Sequence, residues 1–280
     1  MLGKLIKHEF KAVNRLMIPI HLGLILITIV GRFYVQFAMR SPMFHGYSYN
    51  VWEGIINFTL ISFYVVALLA ILIVTELYLM ILRPRKNFFT DEGYLTHTLP
   101  VSATEHIFSK LIVALVWTTV DGILIVLSVL TMFINMDFLR HFGEIWSELI
   151  TSFPDVFGVP AGVGLPVFLI MGLLSSTSSI LIIYMCMAIG HSFNSHRILA
   201  SVGVYVGIEI VSNLISSIFT ALIGVSTIGK STLFMVSYAS TGMYNYFWPS
   251  FWFSSIVSVA MGVGAFLITN HFMTKRLNLE

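Results

Sequence analysis

Residues 55–82 read IINFTLISFYVVALLAILIVTELYLMIL, a run with one charged side chain, Glu76, and no lysine or arginine. A helix needs about 20 mainly apolar residues to cross the hydrocarbon core of a bilayer. The run is long enough to do so and too apolar to be exposed to water. It predicts a transmembrane helix.

Runs of the same kind lie on both sides of it. Of the 280 residues, 57% are hydrophobic and only 10% are charged, whereas soluble domains carry roughly a quarter charged residues. So few charges cannot provide a polar exterior for a soluble domain of this length. The sequence predicts an all-α integral membrane protein that forms a single domain with six transmembrane helices. The further runs are Leu16–Met39, Ile107–Ile134, Leu165–Gly190, Ile198–Gly224 and Phe251–Phe272.

The basic residues predict the orientation of these helices. Lysine and arginine are enriched in cytoplasmic segments. Of the 15 in the chain, four lie on the side opposite the termini in the six-helix arrangement. Both termini are therefore predicted to be cytoplasmic. Because the basic residues lie between apolar runs and form no single patch, no nucleic-acid partner is expected.

Two segments outside the runs have the pattern of amphipathic helices. Residues 1–15 place apolar and basic side chains on opposite sides of a helix, which predicts a helix on the inner membrane surface. A basic flank that only fixes the orientation explains the same residues. Residues 135–164 carry four acidic side chains and place an apolar face at helical spacing, which predicts an amphipathic helix on the outer surface. The apolar face consists of Phe138, Phe142, Ile145, Leu149 and Phe153.

The segment between the second and third runs is the most distinctive. It reads RPRKNFFTDEGYLTHTLP over residues 83–100. Pro84 is expected to stop the preceding helix, and Gly93 to end a short helix that begins near Thr90 or Asp91. After Pro100, Ser102 and Glu105 match a capping box at the start of the third helix.

The aromatic rings of this segment are expected to be exposed. Buried aromatic side chains dominate the energetics of protein interfaces, so a stiff segment with exposed rings predicts a contact for a soluble partner. The alternative is a surface loop whose rings touch lipid headgroups. The rings belong to Phe88, Phe89 and Tyr94.

The order of these parts resembles the permease subunits of bacterial type-two ABC exporters. The resemblance covers the six-helix layout, and its sequence-specific part is FFTDEGYLTHTLPVSATEHIFSK, residues 88–110. It implies that residues 83–106 form a cytoplasmic coupling segment that binds a separate ABC ATPase subunit. The coupling residues that it assigns are Phe88, Phe89, Asp91, Glu92, Gly93 and Tyr94.

The same resemblance implies the partners and the location. The chain would pair with a second permease copy or a paralogue in the bacterial plasma membrane, in contact with lipid. No cofactor is expected on this chain, because ATP and Mg²⁺ would bind the ATPase subunit. One feature departs from the family: its outer helices usually lie between the fifth and sixth spans, whereas here the longer outer loop follows the third.

Polar residues within the runs indicate a candidate translocation pathway. A charged side chain at the bilayer centre costs about 2.5–3.5 kcal/mol on insertion scales, so Asp121 and Glu209 are expected to face protein or water. A hydrogen bond to serine or threonine on a neighbouring helix explains Asp121 equally well. Polar side chains also recur on one face of the fifth run. Candidate pathway residues are Glu76, Asp121, Tyr205, Glu209, Ser212 and Ser216.

The polar face of the fifth run lines either a pathway or a helix interface. Gly203 and Gly207 form a G-x-x-x-G pair elsewhere on the same helix, where close helix packing is available without the polar face. This favours a pathway.

Residues 224–231, GVSTIGKS, match the phosphate-loop pattern but not its context. A phosphate loop joins a buried strand to a helix, whereas this stretch follows a membrane helix on the outer side. We therefore reject nucleotide binding there. The nine histidines show no helical zinc-site spacing.

Together with these patterns, the resemblance implies an exporter permease that is not itself an enzyme. Its substrate would be amphipathic or apolar, such as a peptide antibiotic, a drug or a lipid. One alternative is a proton-coupled secondary transporter that uses Asp121 and Glu209 as proton carriers. Another is a membrane immunity or sensor protein that transports nothing, in which the polar face is an oligomer interface.

Overall fold

The computed structural model describes residues 1–40, 51–89, 101–134, 136–193, 195–228 and 243–275. All regular structure in these residues is helical. In chain order the elements are α1 (Leu2–Arg40), α2 (Val51–Leu77), a π-helical turn (Tyr78–Leu82), α3 (Arg83–Phe89), α4 (Ala103–Phe133), α5 (Met136–Phe157), α6 (Ala161–Gly190), α7 (Arg197–Ile228) and α8 (Met243–Lys275).

Six of these helices, α1, α2, α4, α6, α7 and α8, are long and apolar enough to cross a membrane. Together with the π-helical turn that continues α2, they cover the six runs that the sequence predicts to within one residue. The prediction of a multi-pass, all-helical membrane protein is confirmed for the part of the chain described. The side of the membrane on which the termini lie stays a prediction.

The first helix begins earlier than its apolar run. Residues 2–15 are helical, as predicted, but they form the opening turns of α1, which continues through Pro19. No glycine separates the basic turns from the apolar ones, and neither Asn14 nor Pro19 ends the helix. Its position on the membrane surface stays a prediction. The buried face of α1 has one member per helical turn: Glu9, Val13, Met17, His21, Leu24 and Thr28.

The expectation that Pro84 stops the second helix is wrong. Helical backbone continues from α2 through the π-helical turn into α3. In this turn the N–H of Arg83 donates to the carbonyl of Tyr78, five residues back. Proline has no N–H and its ring crowds the carbonyl four residues back. A π turn immediately before it is a recognised way for a helix to absorb such a local disruption.

The capping box at the start of α4 is confirmed. The backbone N–H of Ser102 donates to the Glu105 carboxylate at 3.3 Å, and the N–H of Glu105 donates to Ser102 Oγ at 3.3 Å. Each side chain thus satisfies a backbone donor that the first helical turn leaves without a partner. The capping box fixes where α4 begins.

The chain divides into two compact units. Unit one contains Met1–Arg83 and Phe108–Arg140, and unit two contains Pro84–Ile107 and His141–Glu280. In unit two α6, α7 and α8 pack on one another. Pro84–Ile107 therefore belongs to unit two, although Arg83 and Phe108 on either side of it belong to unit one.

The predicted helix of the outer loop is present as α5. Gly158, at φ 70°, ends it in the left-handed conformation that glycine adopts easily. Its last turns join an aromatic cluster with α6 and α8, and the indole N–H of Trp248 donates to the Phe157 carbonyl. Of its predicted apolar face, Phe153 is buried in this cluster, whereas Phe142, Ile145 and Leu149 are exposed. The ring contacts of the cluster involve Phe153, Phe157, Phe168, Phe247, Trp248 and Phe251.

Candidate functional site

A series of polar contacts joins α1 to α4 within unit one. Residue numbers rise together along both helices, so α1 and α4 run parallel. This is the direction required of the first and third spans of a six-helix membrane protein. The contacts pair Glu9 with Lys110, His21 with Asp121, Thr28 with Ser128, and Arg32 with the carbonyl of Ile134.

The first of these contacts is a three-residue ion cluster, which we call the Glu9 clasp. Arg83 Nε donates to Glu9 Oε1 at 3.0 Å, and an Arg83 terminal nitrogen lies 3.5 Å from Oε2. Lys110 Nζ lies 3.2 Å from Oε2. The Glu9 and Lys110 side chains are 10% and 5% exposed. Because water screens a pair this deeply buried only weakly, the attraction is strong and so is the cost of losing one partner.

The two cations of the Glu9 clasp lie close to the two ends of the predicted coupling segment. Arg83 is the first residue of α3 and the last residue before unit two begins, and Lys110 lies near the start of α4. The predicted coupling segment, 83–106, begins at Arg83 and ends four residues before Lys110. A single carboxylate of α1 therefore holds both ends of that segment.

Within unit two, α3 contacts the C-terminal half of α6 through Phe88. The ring of Phe88 meets the ring of Tyr184 edge to face, with centroids 6.2 Å apart. Both side chains are fully buried. The expectation that Phe88 is exposed is therefore wrong, because the helix continues past Pro84 and carries the ring onto α6. Phe88 anchors the segment and does not offer a ring to a partner.

His191 follows the end of α6 and lies close to α3. Burial lowers the pKa of its imidazole, and the positive charges of Arg85 and Arg197 lower that pKa further. Its Nδ1 donates to the Met187 carbonyl at 2.8 Å. His191 is therefore neutral at pH 7, and this end of α6 adds no positive charge beside Arg85.

The remaining predicted coupling residues are only partly within the structure. Phe89 is the last residue of α3. Asp91, Glu92, Gly93 and Tyr94, with the short helix expected near them, lie outside the described residues. Their assignment to coupling stays a prediction.

Asp121 has its partners in unit one. Its Oδ1 lies 2.7 Å from His21 Nε2, and the two side chains are 3% and 7% exposed. Thr75 of α2 lies beside Asp121, and its hydroxyl donates to backbone carbonyls of its own helix. Half-buried Glu76, beside Thr75, interacts with Asp121 electrostatically. The structure thus brings two predicted pathway residues together, around a histidine that the sequence analysis did not select.

The other predicted pathway residues lie on α7 in unit two. Glu209, Ser212 and Ser216 are half-buried, whereas the apolar side chains between them are largely exposed. The polar face is therefore the more enclosed side of α7, as expected for a carboxylate kept away from lipid. The amide of Asn213 lies 3.4 Å from the Glu209 carboxylate, and Tyr205 is 38% exposed. Pathway and helix interface both remain compatible with this placement.

The structure also bears on the two motifs set aside from the sequence. The first residues of the phosphate-loop pattern, 224–228, extend α7 as helix, and the rest of the pattern lies outside the described residues. Among the residues described, no group of three or more His, Cys, Asp or Glu side chains is placed to hold a metal ion.

Glu9 and His21 are the functional candidates that sequence reasoning missed. Glu9 lies in the middle of the apolar face formed by Leu2, Leu5, Ile6 and Phe10. A carboxylate on such a face is the signal that points to a buried cationic partner. His21 carries no comparable signal, because its partner is distant in the chain.

Comparison of the chain with protein-family models, with curated proteins and with solved structures finds no match.

Proposed function

We propose that this chain is the membrane-spanning permease subunit of an ATP-driven exporter whose ATP is hydrolysed by separate cytoplasmic ABC ATPase subunits. The observation that carries the proposal is the Glu9 clasp. It ties both ends of the segment between α2 and α4 to α1 through buried ion pairs. A segment held in this way transmits a push or pull to three membrane helices at once.

The coupling step follows from this geometry. The ATPase subunit binds the segment near Asp91, Glu92 and Tyr94, and its movement displaces Arg83 and Lys110 together. Because both cations are held by Glu9, α1, α2 and α4 move as one body. Alternating access is then a two-state equilibrium that binding of nucleotide to the ATPase shifts.

The substrate pathway is assigned to the polar face of α7. Glu209 and Tyr205 are the residues along it best suited to contact an amphipathic or apolar substrate, such as a peptide antibiotic, a drug or a lipid. The opposite, G-x-x-x-G part of α7 is open, since a side chain added at Gly203 or Gly207 would meet nothing within 4 Å among the described residues. A second permease copy or paralogue fits there. The bacterial plasma membrane is the proposed location.

Charge reversal in the coupling segment tests the proposal. Asp91→Lys with Glu92→Lys should abolish co-purification of an ATPase subunit with the tagged chain, while the amount of chain in the membrane is unchanged. Glu144→Lys with Glu148→Lys is the matched control, because these two carboxylates are exposed on α5 and should leave co-purification intact. Equal co-purification from both variants would contradict the proposal.

A proton-coupled secondary transporter is the second candidate, and the His21–Asp121 pair favours it. Ionisable residues within membrane helices are typical of proton relays. Proteoliposomes that contain only this chain would then accumulate substrate under a pH gradient without ATP. Transport that requires both an ATPase subunit and ATP would exclude this candidate.

A further inference from the structure

His21 makes two contacts that together fix how many protons it holds. Its Nδ1 lies 2.7 Å from the carbonyl oxygen of Met17. A carbonyl oxygen only accepts hydrogen bonds, so Nδ1 must carry a proton and donate it. In a neutral imidazole the other nitrogen, Nε2, then presents a lone pair.

That second nitrogen faces a carboxylate. Nε2 lies 2.7 Å from Asp121 Oδ1, in an arrangement that is short but poorly aligned for a linear hydrogen bond. Two electronegative atoms with no proton between them repel each other at this distance, whatever the direction of the Nε2 lone pair. The contact therefore requires one more proton, held either by His21 as an imidazolium or by Asp121 as a carboxylic acid. Both arrangements have the same proton count and no net charge.

The surroundings of the pair disfavour loss of that proton. Both side chains are buried, and the ring of Trp117 lies 4.9 Å from the His21 ring between centroids. From α2, Thr75 lies beside Asp121, and the carboxyl group of Glu76 interacts with Asp121 electrostatically. Without the proton the pair would carry a net negative charge beside a second carboxyl group at membrane depth, which is costly.

We propose that His21 and Asp121 form a proton-binding site within the membrane, which holds one proton and joins α1 to α4 while it is occupied. Loss of the proton to water places a lone pair against a carboxylate and releases this contact. The site does not depend on the proposed exporter function, because it follows from the two distances at His21.

The test compares unfolding of the purified full-length chain in detergent across pH. Free histidine has a pKa of about 6.5 and free aspartate of about 3.9. Above about pH 6.5 the unfolded His21 and Asp121 together hold one proton fewer than the native pair. The unfolding equilibrium constant should therefore rise about tenfold for each pH unit, until the native pair also loses its proton. Between about pH 3.9 and about pH 6.5 the native pair and the unfolded chain hold the same number of protons, so the pair adds no pH dependence to the unfolding equilibrium.

Three variants distinguish the pH dependence caused by the His21–Asp121 pair from that caused by other titrating groups. In Asp121→Asn the amide N–H donates to Nε2 without an extra proton, so the pH-dependent component should disappear. In Glu76→Gln it should persist, because Glu76 acts on the pair without holding the proton. Ser128→Ala removes an uncharged contact between the same helices, so it should lower stability equally at every pH.

Two results would overturn the proposal: a pH dependence in Asp121→Asn equal to that of the wild type, or its disappearance in Glu76→Gln. If Asp121→Asn does not fold, the double variant His21→Gln with Asp121→Asn serves in its place. Its two amides can hydrogen-bond to each other and neither titrates. Retention of the full pH dependence in this variant would be equally contradictory.

Discussion

A carboxylate on the apolar side of α1 is costly unless a cation meets it, and Glu9 meets two. The basic residues around it in the sequence, such as Lys7 and Lys11, point away from it into solvent. Its partners, Arg83 and Lys110, come from the ends of two other helices. Sequence spacing therefore predicts the amphipathic pattern of these turns and not the ion cluster.

Glu9→Gln should destabilise the chain by about 3 kcal/mol. Breaking a buried ion pair from one side typically costs about 3–5 kcal/mol, and the lower end applies because Arg83 is 22% exposed. Thermal unfolding in detergent measures the effect. Lys7→Gln, which neutralises an exposed residue of the same helix, is the matched control and should change stability little.

A double variant shows whether charge is the cause. Glu9→Gln with Lys110→Met removes both buried charges, and replacing a buried pair as a whole is often close to neutral. It should therefore recover most of the loss. A double variant less stable than Glu9→Gln would contradict the role assigned to the Glu9 clasp.

At residue scale His21 marks the limit of what the sequence predicts. Asp121 stands out, because a carboxylate in an apolar run needs a partner. Thr75, a residue of the type expected as its partner, lies beside it but donates to backbone carbonyls of α2. His21 lies 100 positions earlier, and only the parallel packing of α1 and α4 brings the two together. A single sequence does not indicate that these two distant residues meet.

At the scale of elements, apolar run length predicts the existence of the membrane helices better than their ends. The six runs and the capping box at Ser102 depend on local chemistry, and both are confirmed. The end expected at Pro84 is wrong, because the π turn before it absorbs the proline. The burial of Phe88 follows from that turn, so the sequence could not indicate it.

Gly190 shows how closely two elements of unit two approach. A Cβ at this position would lie 2.7 Å from the backbone nitrogen of Ser201 and 2.8 Å from the carbonyl oxygen of Arg197. Backbone atoms cannot move aside cheaply. Gly190→Ala should therefore separate the end of α6 from the start of α7 and lower stability by about 1–3 kcal/mol, measured by thermal unfolding.

Gly203→Ala is the matched control on α7. A Cβ there meets nothing within 4 Å among the described residues. Alanine is also the better helix former, by up to about 1 kcal/mol. The stability of the chain should stay the same or rise. Equal losses in the two variants would show that the α6–α7 approach is not what requires Gly190.

At the scale of the whole molecule, six apolar helices establish a multi-pass membrane protein, and the basic residues predict which side each loop occupies. Sidedness is the premise of the proposed function. The segment between α2 and α4 can bind an ATPase subunit only from the cytoplasm. Run lengths carry no information on this point, which depends on the asymmetry of lysine and arginine alone.

Cysteine labelling tests this premise most directly. Cys186 is buried and is first replaced by alanine. Single cysteines are then introduced at Lys86 of α3 and at Glu144 of α5, both exposed positions. With a membrane-impermeant maleimide on intact cells, we expect Glu144→Cys to react at once and Lys86→Cys only after the membrane is permeabilised. Reaction of Lys86→Cys on intact cells would contradict the account.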